Sequence, residues 1–101
     1  MVTFDMVTPQ EMLLELAEKL RAKRLSLNLS QQTLSAKSGV SYGVLKKFER
    51  TGQISLESLL KLAFAVNSLD DFKNVFELPK PEEAFSLDEL MQENKRKRGR
   101  K

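Results

Sequence analysis

The stretch from Gln31 to Arg50, QQTLSAKSGVSYGVLKKFER, decides the fold of this 101-residue chain. Ser30 and Ser41 are good helix N-caps, and they predict two short helices, Gln31 to Lys37 and Tyr42 to Arg50. Gly39 lies between these helices and permits the positive φ that a tight turn requires. The stretch therefore predicts a pair of helices joined by a short turn.

The spacing of small and apolar residues within this stretch is specific. Counted from Gln31, the fifth residue is the small Ser35 and the ninth is Gly39. A small fifth residue lets the second helix approach the first closely. The apolar residues that should pack the pair into a core are Val40, Leu45 and Phe48, with Val44 expected on the same side.

Further helices are predicted on both sides of the pair. Thr8, Pro9 and Glu11 form a capping box that predicts a first helix running to about Leu25. Its inward face is expected to carry Met12, Leu13, Leu16, Leu20 and Leu27. Ser55 predicts a fourth helix over Leu56 to Val66. A fifth short helix fits Leu69 to Val75, although residues 75–78 could instead form a strand.

The chain is expected to divide into three segments: a folded domain over 8–78, a proline-broken linker with a short amphipathic helix over 79–94, and a disordered basic tail over 95–101. Prolines disfavour helix at the start of the second segment. Its helix carries Phe85, Leu87, Leu90 and Met91 on one side, and it is too short to persist alone in water. We therefore expect those four residues to bind a protein surface.

Composition excludes most enzyme classes. The chain has no cysteine and no histidine, so thiol nucleophiles, imidazole bases and nearly all transition-metal sites are ruled out. We expect no catalytic residue, no metal and no cofactor. The longest apolar stretch, Leu59 to Leu69, contains Lys61 and is about half the length that a membrane span needs. These features predict a cytoplasmic protein without a membrane partner.

Charge is distributed unevenly along the chain. Residues 19–50 carry eight basic and one acidic residue, whereas residues 70–94 carry eight acidic and two basic residues. The last seven residues add six bases. A basic middle segment with acidic flanks is typical of a polyanion-binding face on a soluble protein.

Over residues 10–67 the chain resembles the Cro/phage-repressor-like helix-turn-helix family, also called the Xre family. Besides the turn, the likeness rests on Leu29, Ser30 and Gln31, on Arg24 and Glu49, and on the leucines of the fourth helix. It implies an all-α, five-helix lambda-repressor-like DNA-binding domain with a C-terminal extension. It also implies that Arg24 and Glu49 form a structural pair, and that Ser30 and Gln31 meet a DNA phosphate.

The third helix carries the predicted base-reading face. Its solvent side is expected to expose Ser41, Tyr42, Gly43, Lys46, Lys47 and Arg50. Lysine can donate to guanine or to phosphate, and tyrosine can contact a thymine methyl. The competing interpretations are a solvated helix face for the cations and simple surface packing for Tyr42. Many family members carry a polar base-reading side chain where this chain has Gly43.

A second resemblance is to bacterial antitoxins that are paired with HipA-type kinase toxins. It rests on the acidic stretch around Asp70, the proline break, Ser86-Leu87 with Glu89-Leu90, and the basic end. The sequence therefore predicts a homodimeric repressor of double-stranded operator DNA that is the antitoxin of a toxin–antitoxin operon. The alternatives are a free-standing phage or chromosomal repressor, and an adaptor that acts through the 85–91 helix.

Overall fold

The chain folds as a succession of helices. The computed structural model describes residues 7–80, so the predicted amphipathic helix and basic tail lie outside the described residues. Its elements are α1 (Pro9–Ser26), α2 (Gln31–Ser38), α3 (Tyr42–Thr51), α4 (Leu56–Ala65) and a 3₁₀ helix (Leu69–Asn74). No strand occurs between residues 7 and 80. The predicted all-α class and the five helices are confirmed.

Side-chain caps explain where the helices begin. The hydroxyls of Thr8, Ser30, Ser41 and Ser55 each accept a hydrogen bond from the backbone N–H three residues further on. Glu11 completes the predicted capping box, since its Oε1 accepts from the Thr8 N–H at 3.1 Å. Gly39 and Gly52 end α2 and α3 in the left-handed region, with φ of 80° and 81°. These local signals set the bounds within about one residue of those predicted.

The core lies where α3 packs against α1 and α2, and where α2 meets α4. Val40, Leu45 and Phe48 are buried, as the spacing predicts. They are joined by Ala17, Leu20, Leu34, Leu62 and Val66. Because these residues come from every α-helix, the core fixes how α3 is presented.

Three of the predicted inward residues are exposed. Val44, Met12 and Leu27 keep 39%, 39% and 40% of their surface in water. Val44 precedes Leu45 by one residue, so the two side chains point about 100° apart around α3, and the one that α3 turns to the core is Leu45. On α1 the buried residues are Ala17, Leu20 and Arg24, and Leu16 packs against the core. Leu16 and Leu20 are therefore inward as predicted, but the ends of the inward side differ, because Arg24 is buried whereas Met12 and Leu27 are exposed.

The end of the described chain settles the alternative between helix and strand. A 3₁₀ helix covers Leu69–Asn74, and residues 75–78 form a turn and irregular chain. The strand interpretation is wrong. Phe76 adopts a φ of 64°, which is incompatible with an extended strand.

Between residues 7 and 80, no helix is both long and apolar enough to cross a bilayer.

Candidate nucleic-acid interface

The turn between α2 and α3 is held by serine side chains. Ser35 Oγ donates to the Val40 carbonyl at 2.6 Å, and the Val40 N–H donates to Ser38 Oγ at 3.1 Å. The Gly39 N–H donates to the Ser35 carbonyl at 3.0 Å. These bonds span the turn from both sides and fix the angle between the two helices. Ser35 is thus not only small but also a structural donor, because its hydroxyl makes one of the hydrogen bonds that hold the turn.

A buried ion pair anchors the inner side of α3. Arg24 Nε donates to Glu49 Oε2 at 2.8 Å, and Arg24 Nη2 donates to Glu49 Oε1 at 2.9 Å. The two side chains are only 8% and 5% exposed. The third guanidinium nitrogen, Nη1, donates to the Leu29 carbonyl at 2.9 Å. The structure therefore brings Arg24 and Glu49 together, and it ties the end of α1 and the α1–α2 connection to α3.

Gln31 extends this pair to α2. Its Nε2 donates to Glu49 Oε1 at 3.0 Å, so one carboxylate oxygen receives hydrogen bonds from both α1 and α2. The amide still has a second N–H and a carbonyl oxygen. Gln31 therefore has a structural role, because its side chain links α2 to Glu49 on α3. The sequence analysis missed this contact.

Ser30 lies at the start of α2 with its hydroxyl engaged twice. It accepts from the Thr33 N–H at 3.0 Å and donates to Thr33 Oγ1 at 3.0 Å. Its hydroxyl proton is thereby committed to Thr33. Of the two hydroxyls, the one whose proton is left for another acceptor is that of Thr33.

The outer side of α3 is cationic and open. Ser41, Tyr42, Gly43, Lys46, Lys47 and Arg50 are all exposed. Lys46 Nζ lies 4.5 Å from the centre of the Tyr42 ring, a cation–π distance that holds the two side chains together. Within the described residues, the salt bridges of 4 Å or less do not involve the three cations of this face. We call this set of six residues the α3 face.

Gly43 leaves a gap in the α3 face. A Cβ built at this position would meet no heavy atom within 4 Å, and the residue has no left-handed φ. Neither packing nor backbone conformation within the domain therefore requires glycine here. The structure also shows that the gap gives an approaching surface direct access to the α3 backbone.

The helix starts of the pair differ from those of the other elements. The first turns of α2 and α3 contain no acidic residue, whereas α1 has Glu11, α4 has Glu57 and the 3₁₀ helix has Asp70 and Asp71. A helix start carries partial positive charge, which nearby carboxylates neutralise. The positive ends of α2 and α3 thus remain uncompensated by first-turn acids.

Comparison with known families identifies this pair of helices. A family model described as helix-turn-helix, of the Cro/C1 type, matches residues 20–70, which is just over half of the chain. The chain belongs to the helix-turn-helix family. It is a DNA-binding transcription regulator and not an enzyme. No curated protein and no solved structure shows a significant match.

Within the helix-turn-helix, α2 is the first helix and α3 the second. Two contacts were not predicted from the sequence: the one between Tyr42 and Lys46, and the one between Gln31 and Glu49. The first of them could have been predicted from residue spacing. Lys46 follows Tyr42 by four residues, which places both side chains on one helix face. Gln31 and Glu49 lie 18 residues apart, and their contact depends on the tertiary arrangement.

The described part of the chain contains no group of acidic side chains arranged to hold a metal.

Proposed function

We propose that this regulator represses transcription by binding an operator as a homodimer, with α3 of each chain in the major groove. The observation that carries the proposal is the two-sided character of α3. Its inner side is fixed by Leu45, Phe48 and the Glu49 pair, and its outer side offers exposed cations. A rigid helix with a free basic face is what groove recognition requires.

The residues of the α3 face have distinct roles in this proposal. Lys46, Lys47 and Arg50 donate to guanine edges or to phosphates. Tyr42 is held by Lys46 and contacts a thymine methyl or a phosphate. Ser41 Oγ accepts from the Val44 N–H at 3.2 Å, which leaves its hydroxyl proton for a phosphate. Gly43 lets the α3 backbone approach the DNA closely.

The start of α2 contacts the DNA backbone in the same arrangement. Its uncompensated positive end suits a phosphate. Gln31 donates to a phosphate the amide N–H that is not bonded to Glu49. Ser30 acts indirectly, because its hydrogen bond orients the Thr33 hydroxyl that donates to the phosphate. These contacts position the domain and carry no sequence information.

Dimerisation follows from the size of the reading element and from an apolar surface on α4. A helix of 10 residues reaches too few base pairs for selective binding by itself. Phe64 and Leu56 on α4 are 70% and 66% exposed. Glu57 and Lys61 lie one turn apart on this helix, with Nζ and Oε2 3.6 Å apart. Two antiparallel copies of α4 would cover the apolar groups and pair these opposite charges across a two-fold axis.

The test of DNA recognition is the double substitution Lys46→Ala with Lys47→Ala. We expect lower operator affinity and a flatter salt dependence, because each lysine that neutralises a phosphate contributes about 0.9 to the slope of log K against log salt. With two chains on each operator, four lysines are removed, so the magnitude of the slope should fall by up to about 3.6. Fluorescence anisotropy titration over a range of salt concentrations measures both quantities, and titration at high DNA concentration gives two chains per palindrome.

The matched control is Lys73→Ala with Lys80→Ala, which removes the same charge from exposed positions outside the α3 face and outside the proposed α4 dimer surface. We expect this variant to keep most of the affinity. Equal losses in both variants would show that net charge, and not the α3 face, attracts the DNA. An unchanged slope in the α3 variant would refute the assignment of α3 as the reading helix.

We further propose that the repressor is the antitoxin of a toxin–antitoxin operon and that it neutralises a HipA-type kinase toxin. The support is the order of features after the domain: an acidic stretch, two prolines, an apolar Phe85 to Met91 segment and a basic end. The alternative within the same class is a free-standing phage or chromosomal repressor. A kinase-like gene beside this one would favour the antitoxin.

The antitoxin proposal predicts separable effects at the end of the chain. Replacing Leu87, Leu90 and Met91 by serine should abolish co-purification with the product of the adjacent reading frame and leave operator affinity unchanged. Deleting residues 95–101 should weaken binding to operator and random DNA alike, because the tail is pure positive charge, and should spare the protein partner. The reverse pattern would show that the two halves are assigned the wrong way round.

A further inference from the structure

A groove beside α1 has no assigned occupant. It lies between α1, α4 and the 3₁₀ helix and has a volume of about 390 Å³. Its lining is largely apolar and includes Leu16, Leu20, Leu59, Ala63 and Val66. Phe72 and Val75 also line it, so the groove is built partly by the residues that lead out of the domain.

The rim of this groove is basic on the α1 side. Lys19 and Lys23 both line it and are exposed, and Asp71 is the acid that lines the opposite side. Lys19 Nζ lies 3.2 Å from Glu15 Oε2, an exposed pair within one helix that a competing carboxylate can replace. Lys23 makes no salt bridge within residues 7–80. The groove thus combines an apolar lining with two accessible cations on one edge.

We propose that the groove is the docking site of this chain's own segment 82–94. The segment has the negative charge that complements the basic rim and the apolar side chains that complement the apolar lining. It carries Glu82, Glu83, Asp88, Glu89 and Glu93 with no basic residue, and its apolar residues are Phe85, Leu87, Leu90 and Met91. A helix that lays an apolar side into a groove and aligns charges along the rim is a common recognition mode.

The geometry of the connection allows this docking. Val75 lines the groove, and six residues lie between it and Glu82, so the seven steps of chain reach about 23 Å when extended. As a helix, Phe85 to Met91 would span about 9 Å, close to the rise of about 10 Å between Leu16 and Lys23 on α1. A tether this short gives the segment a local concentration on the order of millimolar. Even a weak contact is populated under that condition.

Other surfaces of the described domain match the segment less well. The α3 face offers more positive charge, but it has no apolar groove for Phe85, Leu87, Leu90 and Met91. The smaller hollow beside Phe64 is apolar, yet neither Phe72 nor Val75 lines it. The groove beside α1 therefore satisfies the charge, the apolar surface and the path of the chain together.

Docking would have a consequence for binding partners. The apolar side of the segment would be covered in the free protein, so a partner that uses Leu87, Leu90 and Met91 must first displace the segment from α1. This inference stands on the groove and the sequence alone. It holds whether or not a kinase toxin is that partner.

The chain contains no cysteine, so a single spin label can be placed in the segment of the full-length protein. With the label at Ala84→Cys or at Gln92→Cys, we expect the amide signals of Leu20, Lys23 and Ala63 to lose most of their intensity through paramagnetic broadening. The signals of Tyr42 and Lys46 should persist. The charge reversal Lys19→Glu with Lys23→Glu should restore the groove signals. The control Arg21→Glu with Lys37→Glu, at exposed positions that do not line the groove, should leave them broadened.

A mixed sample separates the possible occupants. Isotope-labelled chain without a spin label is combined with spin-labelled chain at natural isotope abundance, and no groove broadening is expected, because docking is within one chain. Broadening that appears in the mixture would assign the groove to a second copy and overturn the proposal. Broadening at α3, or none in the groove of the singly labelled chain, would also overturn it. Resolved helix amides in every variant confirm that the domain is folded.

Discussion

Glu49→Ala should lower the free energy of unfolding by about 3–5 kcal/mol, because it strands a buried guanidinium. Arg24 and Glu49 are 8% and 5% exposed, so water cannot replace the lost carboxylate. Two Arg24 nitrogens and Gln31 Nε2 would lose their acceptors together. The measurement is denaturant unfolding followed by circular dichroism at constant pH and salt.

Two control variants separate this effect from ordinary loss of a glutamate. Glu57→Ala removes an exposed partner of Lys61 and should cost less than about 1 kcal/mol. Arg24→Met with Glu49→Leu replaces the pair by apolar groups and should recover much of the stability, because no charge is then left unpaired. Overlapping unfolding curves for Glu49→Ala and the parent would show that the pair contributes little in solution.

Gly52→Ala should destabilise the domain by about 2–5 kcal/mol through two separate costs. The first is conformational, since Gly52 adopts a φ of 81° where side chains are disfavoured. The second is steric, because an added Cβ would lie 2.8 Å from the backbone carbon and oxygen and from the Cβ of Leu13. That neighbour is helix backbone in α1, so the α3–α4 connection and α1 would have to move apart.

Gly39→Ala isolates the conformational cost. Gly39 has nearly the same φ, 80°, but its added Cβ would meet nothing within 4 Å. We expect a loss of about 1–2 kcal/mol there. The difference between the two substitutions in the same unfolding experiment measures the close approach of the α3 end to α1. Equal losses at both glycines would contradict a tight contact at Leu13.

Local chemistry made much of the fold predictable from sequence. Ser30, Ser41 and Ser55 cap their helices by bonds to residues three positions on, and Gly39 and Gly52 end theirs through backbone conformation. Such signals depend only on near neighbours in the chain. The burial of Val40, Leu45 and Phe48 could also be predicted from the sequence, because it follows from the spacing of apolar residues in a helix pair.

Contacts that depend on how helices are rotated against each other were harder to predict. Leucine periodicity correctly placed Leu16 and Leu20 at the core, but it also placed Met12 and Leu27 inward, and it did not indicate the burial of Ala17 and Arg24. An arginine among the buried residues cannot be derived from hydrophobicity, and here the family resemblance implied the pairing with Glu49. The Gln31 contact and the groove beside α1 arise only when several helices meet, so no single stretch of sequence indicated either.

The separation of the two sides of α3 has a consequence for how this regulator can change its target. Leu45, Phe48 and Glu49 hold the helix, and none of them belongs to the exposed face. Tyr42, Gly43, Lys46 and Lys47 can therefore mutate at little cost in folding. With the α3 face as the proposed base-reading surface, a lineage could acquire a new operator by a few substitutions there while its scaffold is inherited intact. Duplicated copies in one genome could then diverge quickly enough to avoid regulating each other's promoters.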